Sequence, residues 1–293
     1  MSMTPFQALA CPLDGEPLQK NDTSWRCASG HSFDVARQGY VHLLPVQNKR
    51  SRDPGDSKAM VAARRRFLNA GHYRPIVEAV SRAALAGLPA GATAHCLDAG
   101  CGEGYYLREL ADAAAANEQP LALLGLDISK WAVLAAAKQE KRASWVVGSN
   151  ARLPVQPGTL DRLLCLFGFP VHGEFARALK PGGELLQVDA GPDHLRELRE
   201  IIYPALKPER TAEPPAPEGF TPLAAETIRY SLALSGAQPI ADLLAMTPHL
   251  HRASHEGRER AAALDSLTVT VEVRLKRFTR DATSCSSGSG ARP

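Results

Sequence analysis

Short apolar runs alternate with amphipathic stretches along the middle of the chain. The apolar runs at 95–98, 121–126, 144–147, 161–167 and 183–189 are typical of strands, and the stretches at 105–116, 130–139 and 172–179 are typical of helices. Strands separated by helices pair in parallel, with helices on both faces of the sheet. The pattern therefore predicts an α/β fold with a Rossmann-like, doubly wound sheet.

The segments on either side of this region follow different patterns. Residues 1–45 are rich in turns and poor in helical periodicity, and the polar stretch at 46–58 is typical of a connecting loop. Two helices are expected next, one capped by Ser57 and one that begins near Tyr73. After a proline-rich break, residues 223–278 predict helix and then an alternating strand at 267–273, antiparallel to the sheet edge.

These patterns divide the chain into four parts. We predict a small zinc-ribbon-like module at 1–45, a basic linker with helices at 46–85, an α/β domain at 86–280 and a disordered tail at 281–293. The tail is assigned from its high content of serine and glycine.

Gly100, Gly102 and Gly104 alternate with other residues directly after the strand that ends at Asp98. Glycine allows backbone conformations that are closed to other residues, and it lets a ligand approach the main chain. A pyrophosphate would be repelled by Asp98 and Glu103, whereas S-adenosylmethionine carries a sulfonium and an ammonium group. The loop therefore indicates a site for S-adenosylmethionine and argues against NAD.

A second acid, Asp127, ends the next strand, 29 residues after Asp98. Ligands of open parallel sheets bind at the carboxyl ends of the strands, where such an acid can accept hydrogen bonds from ribose hydroxyls. Alternatively, Asp127 only caps the helix that begins near Ser129. The upstream glycine loop favours the cofactor interpretation.

Length and composition restrict the class of protein. The 293 residues are 44% hydrophobic, which suffices for one α/β domain with a substantial core and a smaller module. No stretch has the roughly 20 apolar residues needed to cross a bilayer, and the first residues lack a signal-peptide pattern. We therefore expect a soluble cytoplasmic protein with no membrane partner. The six cysteines are scattered, which argues against a disulfide framework.

Positive charge is concentrated near the start of the chain. Residues 1–75 hold eleven Lys and Arg against six Asp and Glu, although the net charge of the whole chain is only +3. The excess lies at Lys49, Arg50 and Arg52 and again at 64–66, which suggests a polyanionic partner. A solvated linker and helix face would explain the same charges.

Four residues of the first module have the spacing of zinc ligands. Cys11 is followed by Cys27 and His31, and a C-x-x-C opening would place another thiolate at position 14, where this chain has Asp14. An aspartate can ligate zinc through oxygen, so the four residues could form a site of reduced softness. Alternatively, the module has lost its metal and is held by packing of its aromatic residues, which is the interpretation that we favour.

Several motifs together resemble one protein family. They are the glycine loop with Asp98, the Lys-Pro-Gly-Gly turn at 180–183, the Cys-Pro-Leu at 11–13, the Gly-Tyr-Val at 39–41, the basic loop at 49–57 and the Ala-Gly-His-Tyr at 70–73. With them, nearly the whole chain up to the tail resembles class I S-adenosylmethionine-dependent methyltransferases. More specifically, it is similar to the 23S ribosomal RNA guanine-N1 methyltransferases.

The resemblance implies fold, partners and contacts. Members of that family carry a small N-terminal zinc module that grips ribosomal RNA, and they pair as homodimers with a shared RNA groove. It also implies that Tyr73, Gly102, Glu103 and His194 contact the cofactor. Without the resemblance, Tyr73 would be interpreted as a packing aromatic and His194 as a capping or surface histidine.

Two departures from the family pattern concern Asp14 and the segment at 167–170. Asp14 replaces a zinc thiolate. The segment Phe-Gly-Phe-Pro at 167–170 stands where the family has an aromatic or aliphatic residue followed by alanine and proline, so the base pocket is expected to be reshaped. These phenylalanines could receive an unstacked base or could belong to the core.

Guanine N1 carries a proton at neutral pH, so some group must accept it or stabilise the anion. Asp189, Asp53 and Asp56 are candidates by location, but a helix cap or a turn explains each of them equally well. No catalytic base is assigned from the sequence.

The expected activity is S-adenosylmethionine-dependent methylation of guanine N1 in a hairpin loop of 23S ribosomal RNA. Two alternatives stay open at this point. The sheet motifs are shared by methyltransferases of small molecules, and the altered positions would also suit an RNA-binding factor that has lost its chemistry.

Overall fold

A computed structural model describes residues 3–48, 51, 53–206 and 215–282. The chain begins with short strands β1 (Gln19–Asn21), β2 (Ser24–Arg26) and β3 (Ser32–Asp34), which pair antiparallel. Strand β4 (Tyr40–His42) and a 3₁₀ turn at Val46–Asn48 follow. Helices α1 (Lys58–Asn69) and α2 (Arg74–Leu85) then lead into the α/β region.

The α/β region has the alternation expected from the sequence. Its elements are β5 (Ala94–Ala99), α3 (Tyr105–Ala116), β6 (Leu121–Asp127), α4 (Lys130–Gln139), β7 (Ser144–Val147), β8 (Leu160–Leu166), α5 (His172–Ala178) and β9 (Leu179–Ala190). The remaining elements are α6 (Arg196–Ile202), β10 (Phe220–Ser235), α7 (Ala237–Ala245), α8 (His249–Arg252), α9 (His255–Ala262) and β11 (Ser266–Arg280).

Within the described residues, eight strands form one large sheet in the order β10-β11-β9-β8-β5-β6-β7-β4. Strands β4 to β9 of this sheet run parallel to one another, and β11 pairs antiparallel with both β9 and β10. Strand β6 is buried along almost its whole length, as expected for a parallel strand covered by helices on both faces. The predicted Rossmann-like fold and the antiparallel strand at 267–273 are confirmed.

The prediction of helix from residue 223 was wrong at its start. Strand β10 occupies Phe220–Ser235 and pairs with β11 over its length. Alternate residues Ile228, Tyr230 and Leu232 are half-buried against the core, which is the two-residue period of a strand. Pairing with a partner 31 to 60 positions further along the chain overrides the helix-forming residues near its start.

The first module is joined to the large sheet. Strand β4 pairs in parallel with β7, with Tyr40 opposite Trp145, and Phe6 and Leu9 are buried against the sheet. Trp25 and Leu43 are buried as well, as predicted for a module held by packing. The boundary after residue 45 stays a prediction, since the last strand before it belongs to the main sheet.

In the described part of the chain, no helix is both long and apolar enough to span a bilayer. The predicted disordered tail lies outside the described residues from position 283 onwards.

Candidate cofactor site and metal site

The glycine loop connects β5 to α3 at the carboxyl edge of the sheet. Gly100, Gly102 and Gly104 have φ angles of 103°, 56° and 84°, which side-chain-bearing residues rarely adopt. A Cβ on Gly100 would meet no atom within 4 Å, so a ligand can approach the backbone there. Gly104 has a different role, because a Cβ there would lie 2.6 Å from Trp145 Cη2.

Asp98 lies at the base of this loop and is 1% exposed. Its Oδ1 atom is buried and has no hydrogen-bond partner. Burial, together with the nearby charge of Asp127, raises the pKa of the Asp98 carboxyl to about 8. A buried acceptor without a partner fits a ligand with a cationic donor, such as the ammonium group of S-adenosylmethionine.

Binding of S-adenosylhomocysteine is expected to release a proton at pH 7. Asp98 with a pKa of about 8 is mostly protonated there, and an ammonium group beside it favours the carboxylate. Affinity should therefore rise between about pH 6 and pH 8. Calorimetry in buffers of different ionisation enthalpy measures the released proton. The Asp98→Asn variant should lose this buffer dependence, and equal heats in all buffers for the unchanged protein would contradict the prediction.

Asp127 ends β6 and binds the glycine loop directly. Its Oδ2 accepts from the Gly102 amide at 2.9 Å, and its Oδ1 accepts from the Ser129 amide at 2.7 Å. Ser129 is itself the N-cap of α4 and accepts from Ala132. Asp127 therefore contacts both the predicted helix start and the loop, and it lies at the strand end where a ribose would be held.

The carboxylate of Glu103 is paired with neighbouring side chains, although the residue also lines the cleft beside the loop. Its side chain is fully buried, pairs with Arg108 at 3.0 Å and accepts from Gln139 Nε2 at 2.8 Å. These contacts anchor the loop to α3 and α4. A role in cofactor binding would therefore fall to the main chain of Glu103.

Tyr73 and His194 meet beside the glycine loop. The Tyr73 hydroxyl lies 3.5 Å from His194 Nε2, and the Phe167 ring stacks on both, at 6.2 Å from Tyr73 and 6.0 Å from His194. Burial lowers the pKa of His194 to about 4, so this imidazole is neutral at pH 7. The aromatic cluster brings two predicted cofactor residues to the end of β8.

The two phenylalanines of the segment after β8 differ in backbone conformation and exposure. Phe167 adopts a φ of 55°, which costs free energy for a residue with a side chain, and Phe169 is 87% exposed. The exposure of Phe169 excludes the core interpretation for that residue. Asn150 ties the loop to β5, because its amide donates to the carbonyls of Ala99 and Phe169.

The three candidate acids have different surroundings. Asp56 pairs with Arg64 at 2.6 Å, and Asp53 lines a small cavity beside Lys130 and Trp131. Asp189 accepts from Gln187 at 2.8 Å at the end of β9. Asp189 also follows Val188, whose carbonyl accepts from the Phe167 amide, so it adjoins the aromatic loop.

Sequence reasoning did not assign Tyr106 and Asn150 to this site. The Tyr106 hydroxyl and Asn150 Oδ1 are both buried without a hydrogen-bond partner. Their positions in the sequence could have indicated a place near the site. Tyr106 lies in the first turn of α3, just after the last loop glycine, and Asn150 comes shortly after β7. Polar groups at strand ends of a parallel sheet are candidates for ligand contacts.

Cys11, Asp14, Cys27 and His31 form a compact cluster in the first module, and their potential ligand atoms all lie within 4.8 Å of one another. His31 Nδ1 lies 3.6 Å and 3.4 Å from the two thiols and 2.9 Å from Asp14 Oδ2. Tetrahedral zinc with bonds of about 2.0–2.3 Å separates its ligands by roughly 3.3–3.8 Å. The two sulfur–nitrogen distances match this spacing, and the shorter distance between His31 and Asp14 is that of a direct hydrogen bond. The four predicted residues could therefore hold a zinc ion once this hydrogen bond is replaced by bonds to the metal.

The structure orients Asp14 toward this cluster. The Glu16 amide donates to Asp14 Oδ1 at 3.0 Å and holds the pKa of the carboxyl well below its usual value. Its other oxygen, Oδ2, faces Cys27 and His31. The burial of Trp25 does not exclude a metal, because packing of the module and the cluster of four potential ligands occur together in the structure.

Replacing Asp14 by cysteine is expected to tighten zinc binding by at least about tenfold, because a thiolate is a softer ligand than a carboxylate. Competition of the purified protein with a chromophoric chelator measures this affinity. The Cys27→Ser variant should change it in the opposite direction. Equal zinc affinity of the Asp14→Cys variant and the unchanged protein would contradict the assignment of Asp14 as a ligand.

The basic cluster is only partly available to a polyanion. Lys49, Arg50 and Arg52 lie outside the described residues. Arg64 pairs with Asp56, and Arg66 pairs with the buried Asp242 at 2.6 Å. Arg65 between them is exposed.

Comparisons with known proteins agree with this geometry. Residues 9–52 match the family model of the zinc ribbon described as RlmA, N-terminal, and residues 96–183 match a methyltransferase domain model. A Streptomyces fradiae protein named 23S rRNA (guanine(748)-N(1))-methyltransferase is 38% identical over 77% of this chain and 80% of its own length.

Two further relatives cover more of the chain. A Micromonospora griseorubida protein, provisionally named a 23S rRNA (guanine-N(1)-)-methyltransferase, is 37% identical over 92% of this chain and 96% of its own length. A Bacillus subtilis (strain 168) protein with the same provisional name is 32% identical over 92% of this chain and 95% of its own length. The chain therefore belongs to the family of 23S rRNA (guanine-N1) methyltransferases.

Proposed function

We propose that this protein transfers a methyl group from S-adenosylmethionine to N1 of a guanine in a hairpin loop of 23S ribosomal RNA. The observation that carries the proposal is the 37% identity to a relative of this family over 92% of the chain. The site supports it, because the glycine loop, Asp98 and Asp127 meet at the carboxyl edge of the sheet.

The side chains around the cleft have distinct tasks in this proposal. S-adenosylmethionine supplies an electrophilic methyl group on its sulfonium. Asp98 and Asp127 hold the cofactor, and the exposed ring of Phe169 offers a stacking surface for an unstacked guanine. His194 is neutral and buried, so it does not repel a sulfonium. Asp189 is the candidate acid that adjoins the aromatic loop, and the acceptor of the N1 proton is not assigned further.

RNA is proposed to approach over the first module and helix α1. Lys58, Arg65 and Arg74 are exposed on α1 and at the start of α2. Neutralising phosphates with such residues is the usual source of RNA affinity. We also propose that the protein is a homodimer located in the cytoplasm with its substrate. Light scattering of the purified protein checks the oligomeric state.

Labelled S-adenosylmethionine and undermethylated 23S ribosomal RNA, naked or in large-subunit particles, test the activity. The expected product is N1-methylguanine, which blocks base pairing and stops reverse transcription at one guanine. Protein with Asp127→Ala is the matched blank. Absence of label from both RNA forms, or transfer only to small molecules, would reject the proposed substrate.

A further inference from the structure

Arg64 lies on α1 directly over the glycine loop. If Gly102 carried a Cβ, that atom would lie 3.4 Å from Arg64 Cδ and 3.8 Å from Arg64 Nε. Arg64 lines the same narrow cleft as Tyr73, Gly100 and Tyr106. Among the described residues that line this cleft, it carries the only cationic side chain.

The guanidinium of Arg64 is fixed in place but incompletely paired. Its Nη2 donates to Asp56 Oδ2 at 2.6 Å and to the Met246 carbonyl at 3.1 Å. Its Nε is buried and has no hydrogen-bond partner. A buried N–H that is left unpaired costs free energy, so this donor is available to an acceptor that enters the cleft.

Arg64 in the cleft and Asp98 at the base of the glycine loop complement the charges at the amino-acid end of the cofactor. That end carries an ammonium and a carboxylate, and Asp98 offers an unpaired oxygen to the ammonium. The carboxylate needs a cation with free N–H donors, which Arg64 provides. We propose that Arg64 binds the methionyl carboxylate of S-adenosylmethionine. This inference rests on the proposed function through the identity of the cofactor.

The loop before α1 holds Arg64 in this position. The carbonyl of Asp56 accepts from Ser129 Oγ at 2.6 Å, and the Ser129 amide donates to Asp127. A Cβ on Gly55 would lie 2.9 Å from Ser129 Cβ, so the loop packs closely against the end of β6. A continuous series of contacts thus links Arg64, the proposed partner of the carboxylate, to Asp127 at the expected ribose position.

The test compares two ligands that differ only in the carboxylate. S-adenosylhomocysteine has it, and its decarboxylated analogue keeps the ammonium and lacks it. Calorimetry is expected to show that Arg64→Met weakens binding of S-adenosylhomocysteine by about 10- to 100-fold and changes binding of the analogue much less. Arg64→Lys should retain part of the preference, because it keeps the charge but not the planar fork.

Arg82→Met is the matched control, because Arg82 is an exposed arginine on the neighbouring helix α2, where it pairs with Glu226 outside the cleft. It should bind both ligands as the unchanged protein does, and melting temperatures show whether each variant is folded. Equal weakening of both ligands by Arg64→Met would mean that Arg64 only holds the loop, and it would overturn the inference. Failure of the unchanged protein to bind either ligand would instead reject the cofactor of the proposed function.

Discussion

Replacing Asp127 by alanine is expected to weaken S-adenosylhomocysteine binding by about a hundredfold or more. The carboxylate has two roles that disappear together. It accepts from the Gly102 and Ser129 amides, which fixes the glycine loop against α4. It also lies at the strand end where ribose hydroxyls would be held. Calorimetry with the purified variant measures the loss, and labelled methyl transfer to ribosomal RNA should fall with it.

Asp112→Ala is the control for this variant. Asp112 is an exposed acid on α3 that pairs with Arg142, so its removal should leave ligand affinity unchanged. Folding of both variants is monitored by thermal melting. If the Asp127→Ala protein is folded and binds S-adenosylhomocysteine as tightly as the unchanged protein, the assignment of the ribose position is wrong.

Replacing Gly104 by alanine is expected to destabilise the protein by about 2–5 kcal/mol. The first contribution is backbone strain, because Gly104 has a φ of 84°. The second is overlap, since the new Cβ would lie 2.6 Å from Trp145 Cη2 and 3.0 Å from Ala136 Cβ. Trp145 is buried between the sheet and α4 and cannot move without opening a cavity. Denaturant unfolding monitored by circular dichroism measures the change in free energy of unfolding.

Gly158→Ala separates these two contributions. Gly158 also has a positive φ, of 62°, but a Cβ there would meet no atom within 4 Å. This variant should lose only the free energy of backbone strain, about 1–2 kcal/mol. Equal losses for the two variants would show that the contact of Gly104 with Trp145 does not contribute.

Features that depend on local pattern were predicted from the sequence. The turn from β5 into α3 needs glycines at fixed positions, and the acid after β6 follows from the alternation of strands and helices. The spacing of potential zinc ligands was also recognised in the sequence, and the structure brings Cys11, Asp14, Cys27 and His31 together. In each case the signal lies within about twenty consecutive residues or in a simple repeat of elements.

Features that depend on distant partners were not predicted. The start of the 223–278 segment was predicted as helix, but it forms strand β10. The strand is stabilised by pairing with β11, a distant segment that local pattern does not reveal. The contacts of the Glu103 carboxylate with Arg108 and Gln139 were also not predicted. Arg64 and Arg66 were grouped with positive charges for a polyanionic partner, and their ion pairs with Asp56 and Asp242 were not predicted. Charge and hydrophobic periodicity in the sequence do not show which distant residue or strand will pair with a given side chain or segment.

The pairing of β4 with β7 has a consequence for shortened forms of this protein. Removing the first module would leave the backbone of β7 with unsatisfied hydrogen-bonding groups along a newly exposed sheet edge. Such an edge is prone to pair with other chains, and Trp145 beside it would lose the cover of Tyr40. A fragment that starts after residue 45 is therefore expected to aggregate. Engineered forms of the protein should keep the first module and the methyltransferase domain together.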